Sequence, residues 1–189
     1  MSAINLEKGQ KINLQKADGS ELKRIYMGLG WDVATGFFGG GGSIDLDASV
    51  GMFSENKELL DTVWFGQLHS RDGSIRHSGD NLTGAGDGDD EVINVDLSTV
   101  PTNVKSLVFV INSYRGQTFD KVKNCFARLV DSVEDKEISI YKLSEKGSHT
   151  GMIMAKVYRH DGKWKMAAIG KPCNGRTVRD LQPEMVSCL

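Results

Sequence analysis

Val92-Ile93-Asn94-Val95-Asp96-Leu97 alternates without a break. Ile93, Val95 and Leu97 share one face, and Asn94 and Asp96 take the other. A repeat of two is that of a strand with one buried side. Downstream, Ser106 to Tyr114 is a near-continuous apolar run, as a strand buried on both faces requires. Residues 137–143, 151–159 and 163–169 read as further strands. The last two are joined by His160-Asp161-Gly162, a hairpin signal because Asp-Gly tolerates positive φ. Upstream, residues 11–15, 22–29, 44–47 and 62–68 fit the same pattern. Residues 124–131 fit strand or helix, and their neighbours favour strand. The 22 glycines punctuate short strands, and no long amphipathic helix stands out. An all-β fold follows, a sandwich or a barrel. Beyond Gly170 the chain is less regular, and residues 178–189 could hold a short helix. The 189 residues show no internal repeat and no domain boundary, so one domain over 1–189 is expected.

The strand at Val92 is preceded by an unusual segment. Residues 79–91 hold five carboxylates, the Asn81 carboxamide and four glycines, with no cation. The formal charge of −2 hides this arrangement. No Lys or Arg occurs from Ile25 to Asn56, nor from His77 to Val104. Those two runs carry Asp32, Asp45, Asp47, Glu55, Asp80, Asp87, Asp89, Asp90, Glu91 and Asp96. All 23 bases lie outside them, against the remaining 15 acids.

Two carboxylates about 5 Å apart repel by roughly 3 kcal/mol at an effective dielectric near 20. The adjacent sequence offers no base to offset that, whereas a divalent cation would. The donors are all oxygen: carboxylates, Asn81, the Thr83 hydroxyl and glycine-rich carbonyls. That set suits Ca²⁺, which accepts about six to eight oxygens in flexible geometry. Zn²⁺ prefers His and Cys, absent from this segment. The spacing is not that of an EF-hand. In residues 43–49, Asp45 and Asp47 are two apart and share a strand face, while Ile44 and Leu46 would face the core. With Asp32 they could complete one site or make a second. A solvated acidic turn accounts for the same residues, and pattern alone leaves both readings open.

Other motifs are weaker. Phe37-Phe38-Gly39-Gly40-Gly41-Gly42 lacks the Lys-Ser/Thr of a P-loop, so a surface loop is expected rather than a phosphate cradle. The three cysteines are widely spaced, against a disulfide framework or a zinc site. Cys125 sits in an apolar run and reads as core rather than nucleophile. His69, His77, His149 and His160 show no ligand spacing and are expected at the surface. His77-Ser78-Gly79-Asp80 holds triad residue types, but no nucleophile elbow is present. A carboxylate-based hydrolase using Asp45 and Asp47 remains a rival, as does a Ca²⁺-dependent module binding a sugar or phosphate group bridged by the ion. The expectation is a non-enzymatic protein. No apolar stretch spans a membrane, and Met1 to Lys8 carry no signal core, so a cytoplasmic protein is expected. The acidic surface would repel nucleic acid.

Gly28-Leu29-Gly30-Trp31-Asp32, Asp45-Leu46-Asp47-Ala48-Ser49 and the 79–91 segment together resemble the TerD family, the tellurium-resistance and general stress proteins of bacteria. The likeness continues through residues 92–97 and 158–165 and covers about residues 2–170. It implies a β-sandwich binding two Ca²⁺ ions. Carried over by motif, the ligands are Asp32, Asp45, Asp47, Asp80, Asn81, Asp87, Asp89, Asp90 and Glu91. Ala85 departs from the family, where Glu is common. The resemblance implies a binding or scaffold role in stress resistance, with calcium ions and other tellurium-resistance proteins as partners. Two bound Ca²⁺ would move the formal charge from −2 to +2.

Overall fold

A computed structural model describes residues 3–33, 45–79, 88–144 and 146–189. The Phe37 to Gly42 loop and Asp80, Asn81 and Asp87 lie outside the described residues. Twelve strands are present among the described residues. They are β1 Ile4–Leu6, β2 Lys11–Asn13, β3 Arg24–Val33, β4 Leu46–Phe53, β5 Leu59–Val63 and β6 Ile75–His77. There follow β7 Glu91–Asp96, β8 Ser106–Ser113, β9 Val122–Asp131, β10 Lys136–Lys142, β11 Gly151–His160 and β12 Lys163–Cys173. One α-helix, α1 Gln182–Val186, is present among the described residues, with Pro183 in its first turn.

The strands form two six-stranded sheets, ordered β1-β10-β9-β3-β7-β6 and β2-β12-β11-β8-β4-β5. The β1–β10 pair is parallel, and the other ladders are antiparallel. Alternation decides what each strand buries. Ile25, Met27, Leu29 and Trp31 of β3, with Ile93 and Val95 of β7, share a core with Leu46, Ala48, Val50 and Met52 of β4. Each such side chain, fully buried, contributes about 1.5–3 kcal/mol.

The run at 106–113 is buried throughout, as its composition implied. The cause is a second core. Leu107, Phe109 and Ile111 point between the sheets. Val108 and Val110 point outward, against Val178, Leu181 and Met185 of the C-terminal segment. The tail therefore covers the outer face of the second sheet. It also buries the outward positions of β4, including Asp47.

The hairpin forms as read: His160 pairs with Lys163, and Asp161 and Gly162 take φ of 52° and 75°. The expected strand at 62–68 starts earlier and stops at Val63, since Trp64 and Gln67 close a turn by exchanging backbone hydrogen bonds of 3.1 and 2.9 Å. Two short strands, β1 and β6, carry too few residues for a period to show. No helix among the described residues is long and apolar enough to cross a membrane.

Candidate functional site

The acidic residues gather at one end of the sandwich, where β3 runs beside the start of β7. Leu29 pairs with Glu91, and the Asp90 N–H donates to Leu29 O at 2.9 Å. The chain at 88–90 lies so close to β3 that side chains there are excluded. A Cβ on Gly28 would stand 2.3 Å from the Asp89 carboxylate, and one on Gly30 2.6 Å from the Gly88 carbonyl. This close approach is the reason for glycine in Gly28-Leu29-Gly30.

The aspartates then take different partners. Asp89 folds over the outer face of β3 and meets Arg128 of β9 side-on. Arg128 Nε donates to Oδ1 at 2.6 Å and Nη2 to Oδ2 at 2.8 Å. The same guanidinium reaches Glu137 at 3.2 Å and lies 5.8 Å from the Tyr26 ring centre. Bonding to Asp89 raises the Arg128 pKa further above its ordinary value. Asp90 accepts the Trp31 N–H at 2.8 Å. Burial pushes its carboxyl above the usual range, the Trp31 bond opposes this, and the charges of Asp32, Glu91 and Asp89 add to the rise. Asp32 is exposed on β3 and accepts from Asn124 Nδ2 at 2.7 Å.

Glu91 points inward. It accepts the Ala48 N–H at 2.7 Å and lies 3.2 Å from His77 Nε2. His77 Nδ1 accepts the Gly79 N–H at 3.0 Å, so the ring hydrogen sits on Nε2, facing Glu91 and the Ala48 carbonyl at 3.1 Å. His77 and His149 are thus buried, contrary to the surface expectation. His77 supports a strand edge, and His149 stacks on Phe119 with ring centres 4.9 Å apart.

Asp45 and Asp47 belong to the other sheet and do not share one environment. Asp45 precedes β4 and meets Arg115 Nε at 3.2 Å. Asp47, on β4, accepts from Asn112 Nδ2 at 3.3 Å. Asn112 in turn donates to the Arg176 carbonyl at 2.8 Å, tying Asp47 to the C-terminal segment.

The structure thus brings Asp32, Asp89, Asp90 and Glu91 to one end of β3. Sequence reasoning missed Arg115 and Arg128, the cations that answer Asp45 and Asp89. Both lie outside the two cation-free runs, so no local pattern announces them. Among the described residues, no three His, Cys, Asp or Glu side chains form a group able to hold a metal ion. The chemistry at the β3 end suits a hard cation: the donors are oxygens, and Asp90 is half-buried beside like charges.

The TerD domain model matches residues 1–182. The chain is 46% identical over 192 residues to the tellurium resistance protein TerZ of Serratia marcescens, covering 98% of each. It is 43% identical to the stress response protein SCP2 of Bacillus subtilis (strain 168), covering 95% of this chain and 97% of that one. Among solved structures, a homologue of telluride resistance protein (TerD) from Streptomyces coelicolor A3(2) superposes with a TM-score of 0.72 at 20% identity. That match covers 87% of this chain and 98% of the other, and it carries the fold. With the two-sheet sandwich and the Gly28 to Asp32 and 88–91 segments packed together, these matches place the chain in the TerD family of tellurium-resistance and stress-response proteins.

Proposed function

We propose that this protein is a Ca²⁺-binding, non-enzymatic member of its stress-response family, acting as a binding or scaffold protein in the cytoplasm. The observation that carries the reading is the crowding at the β3 end. Asp90 is half-buried and accepts the Trp31 N–H; its burial, with the repulsion of Asp32, Glu91 and Asp89, raises its carboxyl above the usual range. A divalent cation would offset that repulsion. Asp32 and Asp90 would hold it, with Asp80, Asn81 and Asp87 of the acidic segment. Asp45 and Asp47 are the candidates for a second ion. Asp89 and Glu91 serve Arg128 and the Ala48–His77 edge, so their contribution to an ion is secondary. Bound Ca²⁺ would supply positive charge and cross-link the segments; other tellurium-resistance proteins are the partners this would present to.

A thermal melt in EDTA against excess Ca²⁺ tests this. Ca²⁺ at 100 times its Kd stabilises the fold by about 2.7 kcal/mol. Asp87→Ala and Asp90→Asn should weaken uptake far more than Asp161→Ala in the hairpin. Unchanged melting together with no calorimetric uptake overturns the reading.

A further inference from the structure

We propose that the outer face of the first sheet carries a pocket for a small phosphorylated aromatic molecule, and that a bulge in β9 builds it. Gly30 pairs with Phe126 and Asp32 with Lys123, so two steps along β3 match three along β9. The extra residue is accommodated at Asn124, a non-glycine residue at φ 50°. In a regular strand, residues three apart point to opposite faces. The bulge reverses this and returns Lys123 to the side of Phe126. Burial agrees: Val122, Cys125, Ala127 and Leu129 face the core, while Lys123 is exposed and Phe126 and Arg128 are half-buried. The Asn124 bond to Asp32 at 2.7 Å holds the bulge.

The next strand completes the face. Lys142 of β10 lies opposite Phe126, and Ile140 opposite Arg128. Phe126, Ile140 and Lys142, with Leu143 and Lys146, line a cavity of about 690 Å³, a size usual for small-molecule sites. Phe126 supplies its floor. The ring rests on the β3 backbone, where a Cβ on Gly30 would stand 2.3 Å from Cζ. Lys123, Lys142 and Lys146 line it too, against the single carboxylate of Asp32 among the described lining residues. Three ammonium groups beside an aromatic and aliphatic floor select a ligand with a planar ring for Phe126 and a phosphate for the lysines. The pocket stands without any bound metal.

The test is a titration in EDTA with adenosine 5′-monophosphate, followed by calorimetry and ligand-observed NMR. Parallel arms use adenosine alone and inorganic phosphate alone. The nucleotide should bind at least about tenfold more tightly than either fragment. Replacing two of the three lysines, Lys123→Ala with Lys142→Ala, should weaken it about tenfold at an unchanged melting temperature. Asn124→Gly, which keeps positive φ, should retain binding, and Asn124→Val should lose it. If Asn124→Val does not fold, the lysine pair decides. No nucleotide binding, equal affinity in the lysine variant, or phosphate binding as tightly as the nucleotide each overturns the proposal. Because the titration contains EDTA, its failure leaves the Ca²⁺ reading untouched, and failure of the Ca²⁺ melt leaves this one untouched.

Discussion

Glu91 of the first sheet accepts the backbone N–H of Ala48 in the second, at 2.7 Å. Ala48 pairs with Ile111 on one side, but β5 begins its pairing with β4 only at Val50. The free edge of β4 at Ala48 is therefore completed by side chains, Glu91 for the N–H and His77 for the carbonyl. Glu91→Ala leaves the buried Ala48 N–H unsatisfied and empties the space beside His77, at a cost of about 3 kcal/mol. At this chain length that is a fall of roughly 6–12 °C in Tm. Glu91→Gln keeps an acceptor and should lose clearly less. Equal losses in the two variants, read by calorimetry in EDTA, would show that the charge rather than the acceptor matters.

Asp89 and Arg128 form a two-point pair on a partly shielded surface. A double-mutant cycle with Asp89→Ala and Arg128→Ala should give a coupling of about 1 kcal/mol. Gly28→Ala places a methyl group where the Asp89 carboxylate lies, so it should abolish most of that coupling. Coupling that survives in the Gly28→Ala background would refute the close-approach account of this glycine.

The cysteines should differ in reactivity. Burial pushes the Cys125 and Cys173 thiols up to about 12, so neither forms appreciable thiolate near neutral pH. Cys188 is partly exposed. Alkylation of the native protein at pH 8, mapped by mass spectrometry, should mark Cys188 first, with all three labelled only after unfolding. Early labelling of Cys125 would contradict its place in the core.

Asp180 anchors the C-terminal segment. Its carboxylate accepts the Arg176 and Thr177 N–H groups at 3.0 and 2.9 Å, and these bonds hold it below the usual range. A depressed carboxylate stabilises the fold above its unfolded pKa, and that contribution is lost as pH falls through the lower folded value. Lowering the pH below the ordinary carboxylate range should therefore raise hydrogen exchange in residues 175–181 before the inter-sheet core opens. Asp180→Asn should show the raised exchange already at neutral pH. If the variant and the parent exchange alike there, Asp180 does not anchor the segment.

Long alternating strands can be read from the chain, but β4 reads only as 44–47, whereas it runs Leu46–Phe53 and is buried on both faces. The alternation at 92–97 and the Asp-Gly turn at 161–162 have local causes, and both appear as read. The short β1 and β6 were missed because three residues cannot display a period. The histidine expectation failed for His77 because its burial follows from the missing end of β5, a tertiary event.

The acidic site divides in the same way. The order of residues shows that carboxylates crowd two cation-free runs and that glycines flank them, since composition and spacing are local properties. It also determined the family, through motifs in fixed order. Which of those charges are answered is set in space. Arg128 reaches Asp89 from 39 positions away, and Asn124 reaches Asp32 from 92. Strand pairing sets those meetings, and an extra residue in one strand reverses which side chains share a face. Electrostatic energy depends on distance in space, so a run without bases along the chain is not a region without them in the fold.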